Sequence, residues 1–281
     1  NKLMLKFRLL DSNSDFPSVN RDLIESTAIK AAKLAGEVIL SGYGSINLQN
    51  DIISKIGSRD IVTNVDKASQ TIIYDTINEV FPDHDFLGEE DVDPGIEASI
   101  NAISNKVNSS NLWIVDPIDG TTNFAHAIPL SGVIIAYAEN GVTLFGLIYD
   151  PFRDELFTAW KNNGAYLNNN KISCCLTNNL RDSVICSGSP PNIKSLDACL
   201  RGMLTLSPKV RTVRLLGSAA IMLSWVACGR ITAYYEADLN VWDLAAGALI
   251  IEEAGGIVTD VHRNKFTLTT RNLVASNKHI Y

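Results

Sequence analysis

The chain has 281 residues, 46% of them hydrophobic and 20% charged, with a formal net charge of −7. These are the proportions of a globular protein with ample core. No apolar run approaches the roughly 18 residues that span a membrane. The acidic balance, with no basic block, argues against nucleic acid and anionic membranes as partners.

Asn1 to Pro17 lacks firm periodicity, and 1–19 reads as a poorly ordered leader. Its basic, apolar stretch Lys2 to Leu10 leaves an organellar targeting remnant as the alternative. From Asn20, Ile24, Ala28, Ala31, Ala35, Val38 and Ile39 recur at helical spacing until Gly42 and Gly44. A polar, strand-like stretch follows. Thr63 with Asp66 then fits a capping box that opens a second helix, with Ala68, Ile72, Ile73 and Val80 turned inward and Pro82 as its stop. Phe86-Leu87-Gly88 leads into the acids Glu89-Glu90-Asp91, and 93–110 suggests a short helix and a loop.

The apolar run Leu112 to Val115 reads as the end of a buried strand. It meets Asp116-Pro117-Ile118-Asp119-Gly120-Thr121-Thr122-Asn123-Phe124, where Pro117, lacking an N–H, is expected to end the ladder. The carboxylates of Asp116 and Asp119 would then stand on a tight loop. Gly120 permits close backbone approach, and its N–H with that of Thr121 can face an anion. Carboxylates for a hard cation beside amides for an oxyanion suggest a metal-and-phosphate site. An ordinary Asp-Pro turn is the plain alternative.

Val133 to Ala138, the Asn140-Gly141 turn and Val142 to Tyr149 read as a hairpin, continued as an antiparallel meander to about Ser173. Strands are then expected at Val184–Cys186, Val210–Leu216, Ile231–Tyr235 and near Val258 and Val274, with helices at Leu196–Leu206, Ser218–Cys228 and Trp242–Ala254. Two α/β portions, 20–175 and 176–281, would share one long interface. Five cysteines, odd in number and without a C-x-x-C pair, read as reduced thiols of an intracellular, cytoplasmic protein.

Glu89, Asp116, Asp119 and Asp243 each fall at an element's end or in a tight loop. A few carboxylates suffice for Mg²⁺, which takes oxygen ligands and keeps several waters. Each acid also has a plain reading: Asp243 and Asp66 as helix N-terminal carboxylates, Glu89 as a solvated charge. Four histidines without H-x-x-x-H spacing leave a zinc hydrolase unsupported. His126 either borders the substrate or is an idle loop residue. No Walker or dinucleotide glycine motif is present, and Ser189, without a G-x-S-x-G context, is no nucleophile.

With these motifs in place the chain resembles the inositol monophosphatase family of Mg²⁺-dependent, lithium-sensitive sugar phosphatases. The likeness covers about residues 20 to 277. It rests on Asp116 to Phe124 and on Trp242-Asp243-Leu244-Ala245-Ala246-Gly247 through Glu253-Ala254-Gly255-Gly256, supported by Gly88-Glu89-Glu90 and Asp60 to Asp66. The resemblance implies a layered α/β/α/β/α sandwich, a homodimer, two or three Mg²⁺ ions and a small phosphate monoester as substrate. It implies that Glu89, Asp116 and the Ile118 carbonyl hold one ion, and that Asp116, Asp119 and Asp243 hold another. Asp66 and Thr121, with Glu89 beside them, would orient the attacking water, while Gly120, Thr121 and Lys55 bind phosphate. Asp119, Ser189, Gly217, Ala219 and Glu236 would line the alcohol pocket. Ser218 stands where many members have Thr, and this departure is expected to leave the chemistry untouched.

Thr122-Asn123-Phe124 after Gly120 looks like the inositol phosphatase branch. It lacks the lysine or arginine of adenosine-bisphosphate and histidinol-phosphate relatives. Inositol 1-phosphate, or a related polyol monophosphate, is the expected substrate, with Glu236 accepting from ring hydroxyls. Another small phosphate ester, or a non-catalytic binding role for the same fold, is the alternative.

Overall fold

In the computed structural model of the chain, residues 21–46, 52–54 and 61–281 are described. The leader 1–19 and Lys55 lie outside them. Helix α1 (Arg21–Gly42) buries Ile24, Ala28, Ala31, Ala35 and Ile39 as its spacing predicts. A short ribbon of β1 (Ile52–Ser54) and β2 (Ile61–Thr63) leads into α2 (Asn64–Val80). The capping box is present: Thr63 accepts from the first helical turn while its own N–H donates to Asp66 Oδ2 at 2.8 Å. The inward face of α2 departs from expectation. Ala68 and Val80 are exposed, and Ser69, Gln70, Ile73, Thr76 and Ile77 are buried.

A seven-stranded sheet follows in the order β3 (Asp85–Gly88), β4 (Leu112–Asp119), β5 (Gly132–Glu139), β6 (Val142–Asp150), β7 (Glu155–Trp160), β8 (Ala165–Leu167) and β9 (Asn170–Ile172). Only β3 and β4 pair in parallel, linked through α3 (Ile96–Lys106). The β5–β6 hairpin turns at Asn140 and Gly141, whose φ values of 48° and 83° fit a two-residue turn with both central residues left-handed.

Strand β4 does not end at Pro117. Asp116 pairs with Ile134 and Asp119 with Gly132, so three steps on β4 match two on β5 and one residue bulges out. A bulge is where a strand tolerates proline. It also reverses the pleat. Residues an odd number apart normally face opposite sides of a sheet, and the extra residue brings Asp116 and Asp119 to the same side.

The second sheet has five strands in the order β11 (Thr212–Arg214), β10 (Val184–Ser187), β12 (Ala233–Glu236), β14 (Leu273–Asn277) and β13 (Gly256–Asp260). Helices α6 (Ala219–Ala227) and α7 (Val241–Glu253) lie between the two sheets. Being covered on both sides, they are buried almost all round, as their apolar sequences require. Helices α1 and α2 cover the outer face of the first sheet. On the second, α5 (Ile193–Leu206) packs Gly202 against Tyr235 of β12. The result is the expected α/β/α/β/α sandwich. Among the described residues all five cysteines are free thiols, and no helix is long and apolar enough to cross a membrane.

Candidate active site

The bulge of β4 opens toward the N-termini of helices that approach from both halves of the chain. Asp119 accepts from the Ser218 hydroxyl and, at 2.8 Å, from the Ala220 N–H, so it sits on the first turn of α6. Asp243 occupies the first turn of α7 and accepts from the Asn240 N–H at 2.6 Å. Asp66 holds the corresponding place on α2. Helix N-termini favour carboxylates, so the plain capping role and a place in the site coexist. One carboxylate oxygen from each of Asp116, Asp119 and Asp243 lies within 4.8 Å of the others.

Glu89 follows β3 in a short 3-10 turn. The parallel register sets Gly88 beside Val115, so the next residue falls beside Asp116 and the two acids are brought together. Gln70 on α2 fixes this turn by accepting the Glu90 N–H at 2.9 Å.

Asp116 is 1% exposed and Asp119 8%. Burial, and then the neighbouring acids, push the carboxyls of Asp116 and Asp243 well above the usual range. Burial raises Asp66 and Asp119 to about 6 and Glu236 to about 7, against the hydrogen bonds each accepts. Crowded, buried carboxylates call for a compensating cation. An all-oxygen donor set fits a hard ion such as Mg²⁺.

Beside this cluster the Thr121 hydroxyl lies 2.9 Å from Asp66 Oδ1 and 3.0 Å from the Ile118 carbonyl. Gly120, at φ 85°, turns the chain from β4 into the short helix α4 (Thr121–Ala125). A Cβ at Gly120 would stand 2.9 Å from the Leu130 carbonyl, so the turn is closed to other residues. A cleft of about 360 Å³ is bordered by Glu89, Gly120, Thr121, Gly217, Glu236 and Asp243. An adjoining space of about 430 Å³ is bordered by Asp119, Ser189, Gly217, Ala219, Glu236 and Asp243. Glu236 accepts from the Tyr234 hydroxyl. It sits where a Cβ on Gly188 would fall, 1.6 Å from its carboxyl carbon. The structure thus gathers the expected acids, the Gly120-Thr121 turn and the alcohol-pocket residues. His126 is exposed and borders neither space.

The Ser218 hydroxyl donates to Asp119 and accepts from the Ile221 N–H, a link that a threonine hydroxyl at this position would also supply. Sequence inspection passes over Gln70, which accepts the Glu90 N–H, and Arg271, which donates to Ser99, Asn240 and Asp238, since neither carries a motif of its own.

The fold and this acidic, water-accessible cleft define a phosphatase-like α/β sandwich with a candidate metal centre. The model of the inositol monophosphatase family matches residues 20–281, and the chain belongs to that family. It is 38% identical over 256 residues to inositol monophosphatase 2 of Solanum lycopersicum, covering 90% of this chain and 93% of the relative. It is 37% identical over 255 residues to the Nus factor SuhB of Pasteurella multocida, covering 90% and 91%. Among solved structures, the extragenic suppressor protein suhB of Bartonella henselae superposes with a TM-score of 0.81 at 34% identity, covering 92% and 95%.

Proposed function

We propose that the chain is a Mg²⁺-dependent phosphomonoesterase that releases the free alcohol from inositol 1-phosphate or a related polyol monophosphate. The observation that carries this reading is the meeting of Asp116, Asp119 and Asp243 within 4.8 Å, beside the Thr121–Asp66 pair. Two or three ions would be held by Glu89, Asp116, the Ile118 carbonyl, Asp119 and Asp243. Bound there, they would supply an activated water and stabilisation of the leaving oxygen.

The chain's own residues do the rest. Thr121, donating to Asp66, leaves its oxygen lone pairs free to accept from the attacking water and so orient it. The Gly120 and Thr121 amides at the start of α4 face the phosphate oxygens, with Lys55 as a further cationic partner. Glu236, with Ser189, Gly217 and Ala219, forms the wall for the alcohol. A staphylococcal IMPase-II, 28% identical at a TM-score of 0.72, has been solved with inositol monophosphate bound. A further structure of SaIMPase-II holds 2′AMP, which supports a permissive pocket. The assembly we propose is a homodimer.

The SuhB relatives, named as a Nus factor, favour one second reading, in which the fold serves as a binding module. Phosphate release from inositol 1-phosphate, histidinol phosphate, fructose 1,6-bisphosphate and adenosine 3′,5′-bisphosphate separates the readings. The phosphatase reading expects the inositol ester to be preferred. No release from any of them in Mg²⁺ would leave the binding module.

A further inference from the structure

The segment between Glu236 and Asp243 joins the alcohol wall to the acidic cluster, and one side chain outside both grips it. Strand β14 pairs with β12 in the register Glu236 with Leu273, so Arg271 and Asn272 lie alongside residues 237–240. The ladder continues past the strand ends, with the Leu239 N–H donating to the Arg271 carbonyl at 2.9 Å. The Asp238 N–H donates to Asn272 Oδ1 at 3.0 Å.

The Arg271 guanidinium then donates three ways. One Nη2–H goes to Asp238 Oδ1 at 2.6 Å, one Nη1–H to Asn240 Oδ1 at 2.8 Å, and one Nη1–H to Ser99 Oγ at 2.9 Å. Ser99 is on α3, in the other half of the sequence, and its own hydroxyl donates to the Ile96 carbonyl. Asp238 has φ 65°, a left-handed conformation that is unfavourable for a residue with a side chain. The Arg271 pair, whose side chains are 18% and 10% exposed, helps hold it there. Asn240 is the residue whose N–H holds Asp243 Oδ2.

We infer that Arg271 is a positioning residue for the metal centre. Through Asn240 and Asp238 it sets the start of α7, and hence the direction of the Asp243 carboxylate, and through Ser99 it ties that setting to α3 across the cleft. A rigid planar fork suits this work, since it can hold several acceptors in one fixed arrangement where a lysine ammonium could not. This inference rests on the metal reading given above.

The test is direct binding of Mg²⁺ by calorimetry to the unaltered chain, Arg271→Met, Arg271→Lys and Asp238→Asn, with kcat and KM measured alongside. Asn tolerates the left-handed conformation while giving up the charge. Removing a direct hydrogen-bond partner of a metal ligand weakens metal affinity by about 10–100-fold, and Arg271, one step beyond through Asn240, belongs at the low end of that range. Arg271→Met should therefore bind Mg²⁺ at least about tenfold more weakly and lose kcat with KM for the ester little changed, Lys should rescue it only in part, and Asp238→Asn should show a smaller loss. Should Arg271→Met fail to fold, Asp238→Asn carries the test alone. If the folded variants bind Mg²⁺ as the unaltered chain does, the inference is overturned while the metal reading stands. If the unaltered chain binds no Mg²⁺, both fall.

Discussion

The Thr121 hydroxyl lies 2.9 Å from Asp66 Oδ1, although the residues are 55 positions apart and belong to different helices. Asp66 is itself held by the Thr63 N–H and hydroxyl, so one acid both caps α2 and fixes the threonine beside the acidic cluster. Thr121→Ala should keep the fold and Mg²⁺ binding and lower kcat on the order of 10²-fold, the scale of a lost water-orienting group. Steady-state kinetics with a melting curve check this. An unchanged kcat would reduce Thr121 to a turn residue.

Ser218 offers a second test, because its hydroxyl serves both Asp119 and the first turn of α6. Ser218→Ala should cost about 1 kcal/mol of stability as a lost cap and raise the Mg²⁺ needed for half-maximal activity. Ser218→Thr keeps the hydroxyl and should behave as the unaltered chain. Equal Mg²⁺ requirements for Ala and Ser would show that the bond to Asp119 is idle.

Much of this architecture is legible in the residues themselves. Thr63 with Asp66, Asn140-Gly141 and the small-residue stripe of α1 each announce local structure, since caps, turns and helix faces are decided by neighbours in sequence. The inward face of α2 is not legible this way. Apolar spacing favours Ala68 and Val80, whereas burial falls on Ser69, Gln70 and Thr76, of which Gln70 holds the Glu90 N–H and Thr76 bonds back to the Ile72 carbonyl of its own helix. Pro117 misleads for a related reason: a proline that stops a regular ladder is accommodated in a bulge, and the bulge exists only once β5 is paired. Arg271 is silent in sequence because its partners Ser99 and Asn240 are 172 and 31 positions away.

The raised carboxyls predict how the metal-free protein responds to pH. Folded values for Asp66, Asp119 and Glu236 of about 6, 6 and 7 stand above their unfolded values. Between the unfolded and folded values the native state holds protons that the unfolded chain has released. The contribution of these groups to stability therefore falls as pH rises from about 4 to about 7. A bound cation removes that penalty. The gain in melting temperature on adding Mg²⁺ should be larger at about pH 7.5 than at about pH 5. A gain independent of pH would contradict the assignment of the ion to these acids.

Glu253 supplies a contrasting case remote from the site. Its carboxylate accepts the N–H groups of Asn162, Asn163 and Gly164 at 2.7, 3.0 and 2.8 Å, clamping the turn between β7 and β8. Glu253→Ala should cost about 1–3 kcal/mol in denaturant unfolding and leave kcat and the Mg²⁺ requirement alone. Loss of activity in a folded variant would mean that the turn communicates with the cleft.

Glu236 and Asp243 should divide the substrate between them. Glu236→Gln should raise KM for inositol 1-phosphate more than for an ester without ring hydroxyls, as expected for an interaction shared by ground and transition states. Equal effects on both esters would remove its role in selectivity.

The most direct measurement is phosphate release from inositol 1-phosphate across a Mg²⁺ titration, for the unaltered chain and for Asp243→Asn, with a chelator control. Hydrolysis should vanish in excess chelator and return with Mg²⁺. Asp243→Asn should show a depressed kcat and a higher Mg²⁺ requirement. Full activity in excess chelator, or an Asp243→Asn variant with unaltered kcat and Mg²⁺ dependence, would contradict the metal-centred account.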